Sequence, residues 1–280
     1  MLEYIKAIIL GIVEGITEWL PISSTGHLIL LGDLLQLSFE GADAELAELL
    51  RSSFDVVIQS GAILAVVVLY LKRLWRAPLS LYLKLAIATL PAGVVGILAD
   101  KICENYLEQS LDSLLFKPHV VAAALILYGI LFILVERLMK SRVDTVSEIN
   151  AIRLGQAFAI GCFQALAVIP GTSRSGSTVL GARIIGIGRS AAAEFSFFAA
   201  IPVIVAASAL KIYELADYTI ERSVALPPSV IPIFALSGAV AFAVSMISIK
   251  FLTEFIKKHS FAPFGIYRIL LGALVLMLLK

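Results

Sequence analysis

The sequence predicts an all-α polytopic membrane protein built as an inverted-topology repeat, each half one re-entrant helix-loop-helix hairpin plus three transmembrane helices. Three observations predict it. Of the 280 residues, 60% are hydrophobic and 15% charged, with a mean hydropathy of +0.97, which is the composition of a chain embedded in lipid. Six apolar runs, 54–71, 80–99, 118–138, 190–212, 228–250 and 261–279, approach the roughly 20 residues a spanning helix needs. Two more apolar segments, 2–37 and 150–187, are each interrupted midway by a proline and small polar residues. The chain reads as a single membrane domain, 1–280, with repeat halves over about 1–140 and about 150–280.

Loop charge sets the expected orientation. Lys72, Arg73 and Arg76 follow the first run, Arg137, Lys140, Arg142 and Arg153 follow the third, and Lys257 and Lys258 follow the fifth. Short basic loops stay on the cytoplasmic side. The other loops are acidic and belong outside: Glu40, Asp43, Glu45 and Glu48; Asp100, Glu104, Glu108 and Asp112; Glu214, Asp217 and Glu221. Segment 150–187 then begins and ends inside, so it must turn back near Pro170 to Ser177; segment 2–37 turns back from outside near Pro21 to Gly26. The two also match in order, Gly11-Ile12-Val13-Glu14 before Pro21-Ile22-Ser23-Ser24-Thr25-Gly26, and Gly161-Cys162-Phe163-Gln164 before Pro170-Gly171-Thr172-Ser173-Arg174-Ser175-Gly176. A hairpin plus three spans reverses its orientation when repeated, and such repeats place their site between broken helices. Gly11 and Gly15, like Ala157 and Gly161, sit at a spacing that lets helices approach closely.

A net charge of +1 offers no surface for nucleic acid. The start of the chain lacks a basic stretch ahead of an unbroken apolar core, so no cleaved leader is expected. Cys103, in a polar loop, and Cys162, in an apolar helix, are not expected to pair.

The chemistry concentrates in Gly11 to His27, GIVEGITEWLPISSTGH. Glu14 and Glu18 are four residues apart and share a helix face. Ionisable groups in a bilayer cost roughly 2.5–3.5 kcal/mol at the centre of a span, which makes them functional candidates. Ser23 or Ser24 suits an N-cap for a helix running to about Leu37, and Thr172 or Ser173 one for a helix from about Arg174 to Gly186. Two helix N-termini facing one cavity favour an anion, phosphate above all, and Arg174 adds a guanidinium fork matched to phosphate oxygens. His27 could serve as general acid or base, as nucleophile, or as base for a nearby serine. Glu14 and Glu18 could bind Mg²⁺ or Ca²⁺ through hard oxygens, activate a water, or pair with Arg174 or Arg268. Arg268 could snorkel inward or reach the cavity, while Arg183 and Arg189 are expected to line the inner face and snorkel. A transporter or flippase for a lipid phosphate is the competing reading, since opposed hairpins are transporter features. A lipid phosphatase of the acid-phosphatase-like type is disfavoured because no second histidine follows Arg174 at a fixed spacing.

GIVEGITEWLPISSTGH resembles the glutamate-rich motif of the undecaprenyl-pyrophosphate phosphatases, the bacitracin-resistance family of bacterial membranes. PGTSRSGST is similar to that family's second motif, and FSFFAAIPVIVAASAL from Phe195 and FAPFGIYRILLG from Phe261 to further family segments. The resemblance spans nearly the whole chain. It implies hydrolysis of a polyprenyl diphosphate lipid to the monophosphate plus inorganic phosphate, recycling the carrier of cell-wall synthesis and conferring bacitracin resistance. It also implies residence in the bacterial cytoplasmic membrane among its lipids, with a divalent metal and a site opening to the periplasmic side; homodimerisation is left open. By the same resemblance Glu14 and Glu18 are the acidic pair tied to metal and catalysis, and Ser24 and His27 are nucleophile and partner in either order. Arg174 grips phosphate, and Ser23, Thr25, Gly26, Ser173 and Ser175 flank the phosphate pocket.

Overall fold

The computed structural model describes residues 1–107 and 114–278, and no strand is present among them. Glu108 and Asp112 of the expected outer loop, and the last residue of the 261–279 run, lie outside the described residues. The first hairpin is α1 (Leu2–Thr17) and α2 (Ser24–Leu35); α3 (Ala44–Leu69), the short α4 (Leu71–Trp75), α5 (Leu79–Ile102) and α6 (Pro118–Met139) follow. The second hairpin is α7 (Leu154–Ala165) and α8 (Arg174–Ile184), joined through a 3-10 turn at Leu166–Val168; α9 (Arg189–Glu221), α10 (Val230–Lys258) and α11 (Ala262–Leu278) complete the chain. The helices α3, α5, α6, α9 and α10 are long and apolar enough to cross a bilayer, and α11 is shorter at 17 residues. Along the most apolar window of α5 only 22% of residues are buried, so its side chains face outward into a medium that must itself be apolar. The acidic residues Glu45 and Glu48, expected in a loop, open α3 instead; Asp43 caps it by accepting Leu46 N at 2.8 Å, and acidic side chains suit a helix start.

Each broken segment folds back beside its own beginning. In the first hairpin, Lys6 Nζ donates to Gln36 O at 3.1 Å and Ser38 N to Glu3 Oε2 at 2.8 Å, tying the start of α1 to the end of α2. In the second, the strand-like segment before α7 meets the exit of α8: Thr145 N donates to Gly186 O at 2.8 Å and Arg183 to Asp144 at 2.7 Å. The two mouths lie at opposite ends of α9. Its first residue, Arg189, pairs with Glu136 near the second mouth, and Arg222, just past its end, pairs with Glu45 near the first. The 33 residues between span about 50 Å at about 1.5 Å each.

Arg183 does not snorkel. It is 3% exposed and holds Glu136 at 3.3 Å and Asp144 at 2.7 Å, while Arg189 takes the other oxygen of Glu136 at 2.5 Å. Glu136, a carboxylate buried in α6 within the apolar run 118–138, makes pairing more favourable than reaching for water.

The helices pair reciprocally: α1 packs on α10 as α7 packs on α5, while α6 lies against α11 and α3 against α9. A Cβ on Gly11 would stand 2.6 Å from Ser237 O in α10, and one on Gly161 would stand 2.5 Å from Ala88 O in α5. Backbone against backbone leaves no side chain to move aside. Gly11→Ala and Gly161→Ala should therefore each cost about 1–3 kcal/mol, seen as a lowered thermal midpoint in detergent. Gly32→Ala, where a Cβ meets nothing within 4 Å, should leave it unchanged.

Candidate active site

The two tips are built alike. Ser23 and Ser173 occupy the residue before each returning helix, at φ 75° and 71°, a region that L-residues seldom adopt. Each side chain caps its helix: Ser23 Oγ accepts Gly26 N at 3.2 Å and Ser173 Oγ accepts Gly176 N at 3.1 Å. Thr172, the alternative cap, is buried beside Ser173. Strained backbone at matched positions in a turn marks a functional constraint, and the uncapped N–H groups of both first turns are left for an anion.

One side chain joins the tips. Arg268, fully buried in α11, donates from Nη1 to Pro21 O at 3.2 Å and from Nη2 to Gly171 O and Thr172 O at 2.6 and 2.9 Å. Its guanidinium also lies 5.6 Å from the Tyr128 ring and 5.9 Å from the Phe132 ring. Pro21 and Gly171 thus sit on opposite branches of one guanidinium. A carbonyl that leaves a helix has lost its helical donor; a planar five-donor cation serves three such oxygens at once.

Across this junction Glu18 is held from both sides. Ser24 Oγ donates to Glu18 Oε2 at 2.6 Å, and Arg174 Nη2 donates to Glu18 Oε1 at 3.0 Å. The first distance is that of a charge-assisted O–H to carboxylate bond. Arg174 is held in turn by Ser196 O at 2.9 Å, and it lies 6.0 Å from the Trp19 ring, which packs edge-on against Phe197. Ser196 Oγ and Thr178 Oγ1 are 2.6 Å apart. Glu18, Ser24, Thr25, Ser173 and Arg174 all border one cavity of about 500 Å³ whose other walls are mostly apolar.

The remaining predicted residues stand one step back. His27 Nδ1 donates to Ser23 O at 2.7 Å, so in the neutral ring Nε2 accepts from the Tyr267 hydroxyl, also 2.7 Å away. His27 does not border the cavity, and the partner of Ser24 is Glu18. Gly26 and Ser175 lie in the two first turns, Ser175 Oγ 3.2 Å from Ser173 Oγ. Glu14 is wholly buried, and neither carboxylate oxygen has a hydrogen-bond partner among the described residues. Among the described residues no three His, Cys, Asp or Glu side chains converge as a metal cage. Ser196 and Tyr267 were missed as contributors, although each is a polar residue inside an apolar run.

A family model described as Bacitracin resistance protein BacA matches residues 7–274. Curated relatives named undecaprenyl-diphosphatase include one from Enterococcus faecalis, 45% identical over 99% of this chain and 97% of its own length. Another, from Latilactobacillus sakei, is 45% identical over 98% and 97%, and one from Acetivibrio thermocellus 44% identical over 99% and 98%.

Arg268→Met should strand three buried carbonyls, at about 1–3 kcal/mol for each left unsatisfied, and lower the thermal midpoint in detergent sharply. Arg222→Met, which removes only an exposed pair with Glu45, should change stability by less than about 1 kcal/mol.

Proposed function

The chain belongs to the bacitracin resistance protein BacA family, and from that membership we propose its activity: it is a membrane-embedded hydrolase that converts undecaprenyl diphosphate to the monophosphate and inorganic phosphate. The observation that carries the chemistry is Glu18 bound at once to Ser24 and to Arg174. Ser24 acts as the nucleophile and Glu18 as its base. Oγ attacks the terminal phosphorus as its proton passes to Glu18; the bridging P–O bond breaks, and its electron pair leaves on the lipid monophosphate. Water then attacks the phosphoserine, Ser24 recovers the proton from Glu18, and both water protons depart with the phosphate. Arg174 moves from the carboxylate to the phosphoryl oxygens as Glu18 is protonated, so its charge is applied where negative charge gathers. Thr25, Ser173 and the first-turn N–H groups of α2 and α8 complete the phosphate cradle. Ser23, Gly26, His27 and Ser175 shape the two first turns, and His27 holds Ser23 O so that Ser24 faces Glu18.

A divalent ion suits this acidic pair: the buried oxygens of Glu14 have no hydrogen-bond partner among the described residues, and a cation beside them would offset the cost of burying that charge. Glu14 and Glu18 would hold Mg²⁺ or Ca²⁺, and the ion would supply Lewis-acid polarisation of a phosphoryl oxygen. The matched caps and reciprocal helix pairing support two inverted halves, about 1–140 and about 150–280. Family membership supports residence in the bacterial cytoplasmic membrane with the site open to the periplasm, and the loop charges support the orientation of the spans. The opposed hairpin mouths also favour a second reading, translocation of the lipid phosphate; proteoliposomes that move labelled lipid without releasing phosphate would support it over hydrolysis.

Purified protein should release phosphate from farnesyl or undecaprenyl diphosphate. Ser24→Ala should lower kcat/KM by at least about a thousandfold, Arg174→Ala by about 10²–10³, and His27→Ala by about ten- to a hundredfold, as for a residue that acts through another. Full activity in Ser24→Ala and Arg174→Ala would sink the mechanism. Removing divalent ions with a chelator should suppress turnover, and Glu14→Gln should weaken binding of Mn²⁺ measured by its own paramagnetic signal.

A further inference from the structure

The cavity that contains Ser24 and Arg174 continues well beyond them. It runs between α5 and α9 along the turn Leu166–Val168, with Gly93 and Gly96 on one side and Val203, Ala207 and Leu210 on the other. Both flanking helices carry an internal proline, Pro91 in α5 and Pro202 in α9, each removing one helical hydrogen bond where the two helices border the cleft. A Cβ on Gly93 or on Gly96 meets nothing within 4 Å, so these glycines are not making room for a neighbouring helix as Gly11 and Gly161 do. They make room in the cleft. The outer rim is formed by Ile97, 62% exposed, and Leu210, 56% exposed. Large apolar side chains exposed on both sides of an opening suit a cleft that leads sideways into lipid. Where the apolar wall reaches the polar end, Gln164 is 2% exposed; its Nε2 donates to Ala88 O at 3.2 Å, and its Oε1 has no donor among the described residues.

We propose that this cleft seats the isoprene units nearest the diphosphate, and that Gly93 and Gly96 are the specificity-determining positions that keep it open. The inference rests on the phosphatase reading above. The substrate's tail is covalently bound to its phosphates, so it must leave the phosphate pocket through a wall, and this wall is apolar, recessed and open to lipid. A space of about 500 Å³ falls in the range that holds a small ligand. It takes the head and the first few isoprene units, while the rest of the tail lies in the bilayer. Chain length therefore matters over the first few units and not beyond them.

The test measures phosphate release by the full-length protein from isopentenyl, farnesyl and undecaprenyl diphosphate. In the wild type, KM should fall from the one-unit to the three-unit substrate and then level off. Gly93→Leu and Gly96→Leu should raise KM for farnesyl diphosphate at least about tenfold with kcat within about twofold, the mark of lost uniform binding in an apolar pocket. Their kinetics with isopentenyl diphosphate should stay within about twofold of wild type. Gly155→Leu, also at a position where a Cβ meets nothing within 4 Å but away from the cleft, should behave as wild type. An unchanged farnesyl KM in both cleft variants overturns the inference while leaving the phosphatase reading intact. A wild-type protein that cleaves none of the three substrates overturns that reading, and the seat with it. For variants that do not fold, wild-type protein is labelled with a farnesyl diphosphate bearing a diazirine on its last isoprene unit. Labelled peptides from α5 and α9 support the seat, and labels confined to α6 and α11 overturn it.

Discussion

The interaction on which the rest depends is the fork of Arg268 on three main-chain carbonyls. A helix that stops inside an apolar environment exposes oxygens with no donor, and two such stops brought together would place like dipole ends side by side. The guanidinium resolves both at once, because its donors diverge in a plane and its charge opposes the carbonyl dipoles. Tyr128 and Phe132 flank the cation and offer it ring faces in place of water. This fork gives the pairing of Glu18 with Arg174 across the tips its frame.

Once the tips are joined, the site's chemistry follows from a competition for one carboxylate. Glu18 carries a serine on one oxygen and an arginine on the other. A buried ion pair of this kind contributes little net stability, since desolvation offsets the attraction. Its value is in placement: it holds a carboxylate, a hydroxyl and a guanidinium in register, and in the proposed reaction that preorganisation lowers the reorganisation needed in the transition state. The apolar cleft beside it is complementary. One end of the space favours charge and the other excludes it, so a molecule with a charged head and an apolar tail can enter in one orientation.

A second ionic cluster, the buried Arg183 and Glu136 with the more exposed Arg189 and Asp144, closes the mouth of the second hairpin far from the tips. It ties the end of α6 to the chain on either side of α7 and α8. The first hairpin's mouth is held by two hydrogen bonds to the main chain, Lys6 Nζ to Gln36 O and Ser38 N to Glu3 Oε2, with no ion pair across it among the described residues. The two faces of an otherwise reciprocal packing therefore differ in how firmly they are held.

Most of the architecture was legible in the residues themselves. Length and apolarity marked the spans, prolines with small polar residues marked the breaks, and Glu14, Glu18, Ser24 and Arg174 stood out because lipid penalises their types. Cap positions narrowed to a choice between neighbours, and the structure took Ser23 and Ser173. Local spacing sets helix phase and helix ends, since both depend on the backbone within a few residues. It says nothing about partners drawn from elsewhere in the chain. Arg174 reaches Glu18 across 156 residues and Arg268 reaches Pro21 across 247. Only the packed structure could decide that Glu18, rather than His27, accepts the hydrogen bond of Ser24, that His27 turns to Tyr267, that Arg183 is buried on Glu136, and that Arg268 binds the two tips together. Each of these is a choice among several oppositely charged or hydrogen-bonding groups of suitable chemistry, and distance in the folded chain is what makes it.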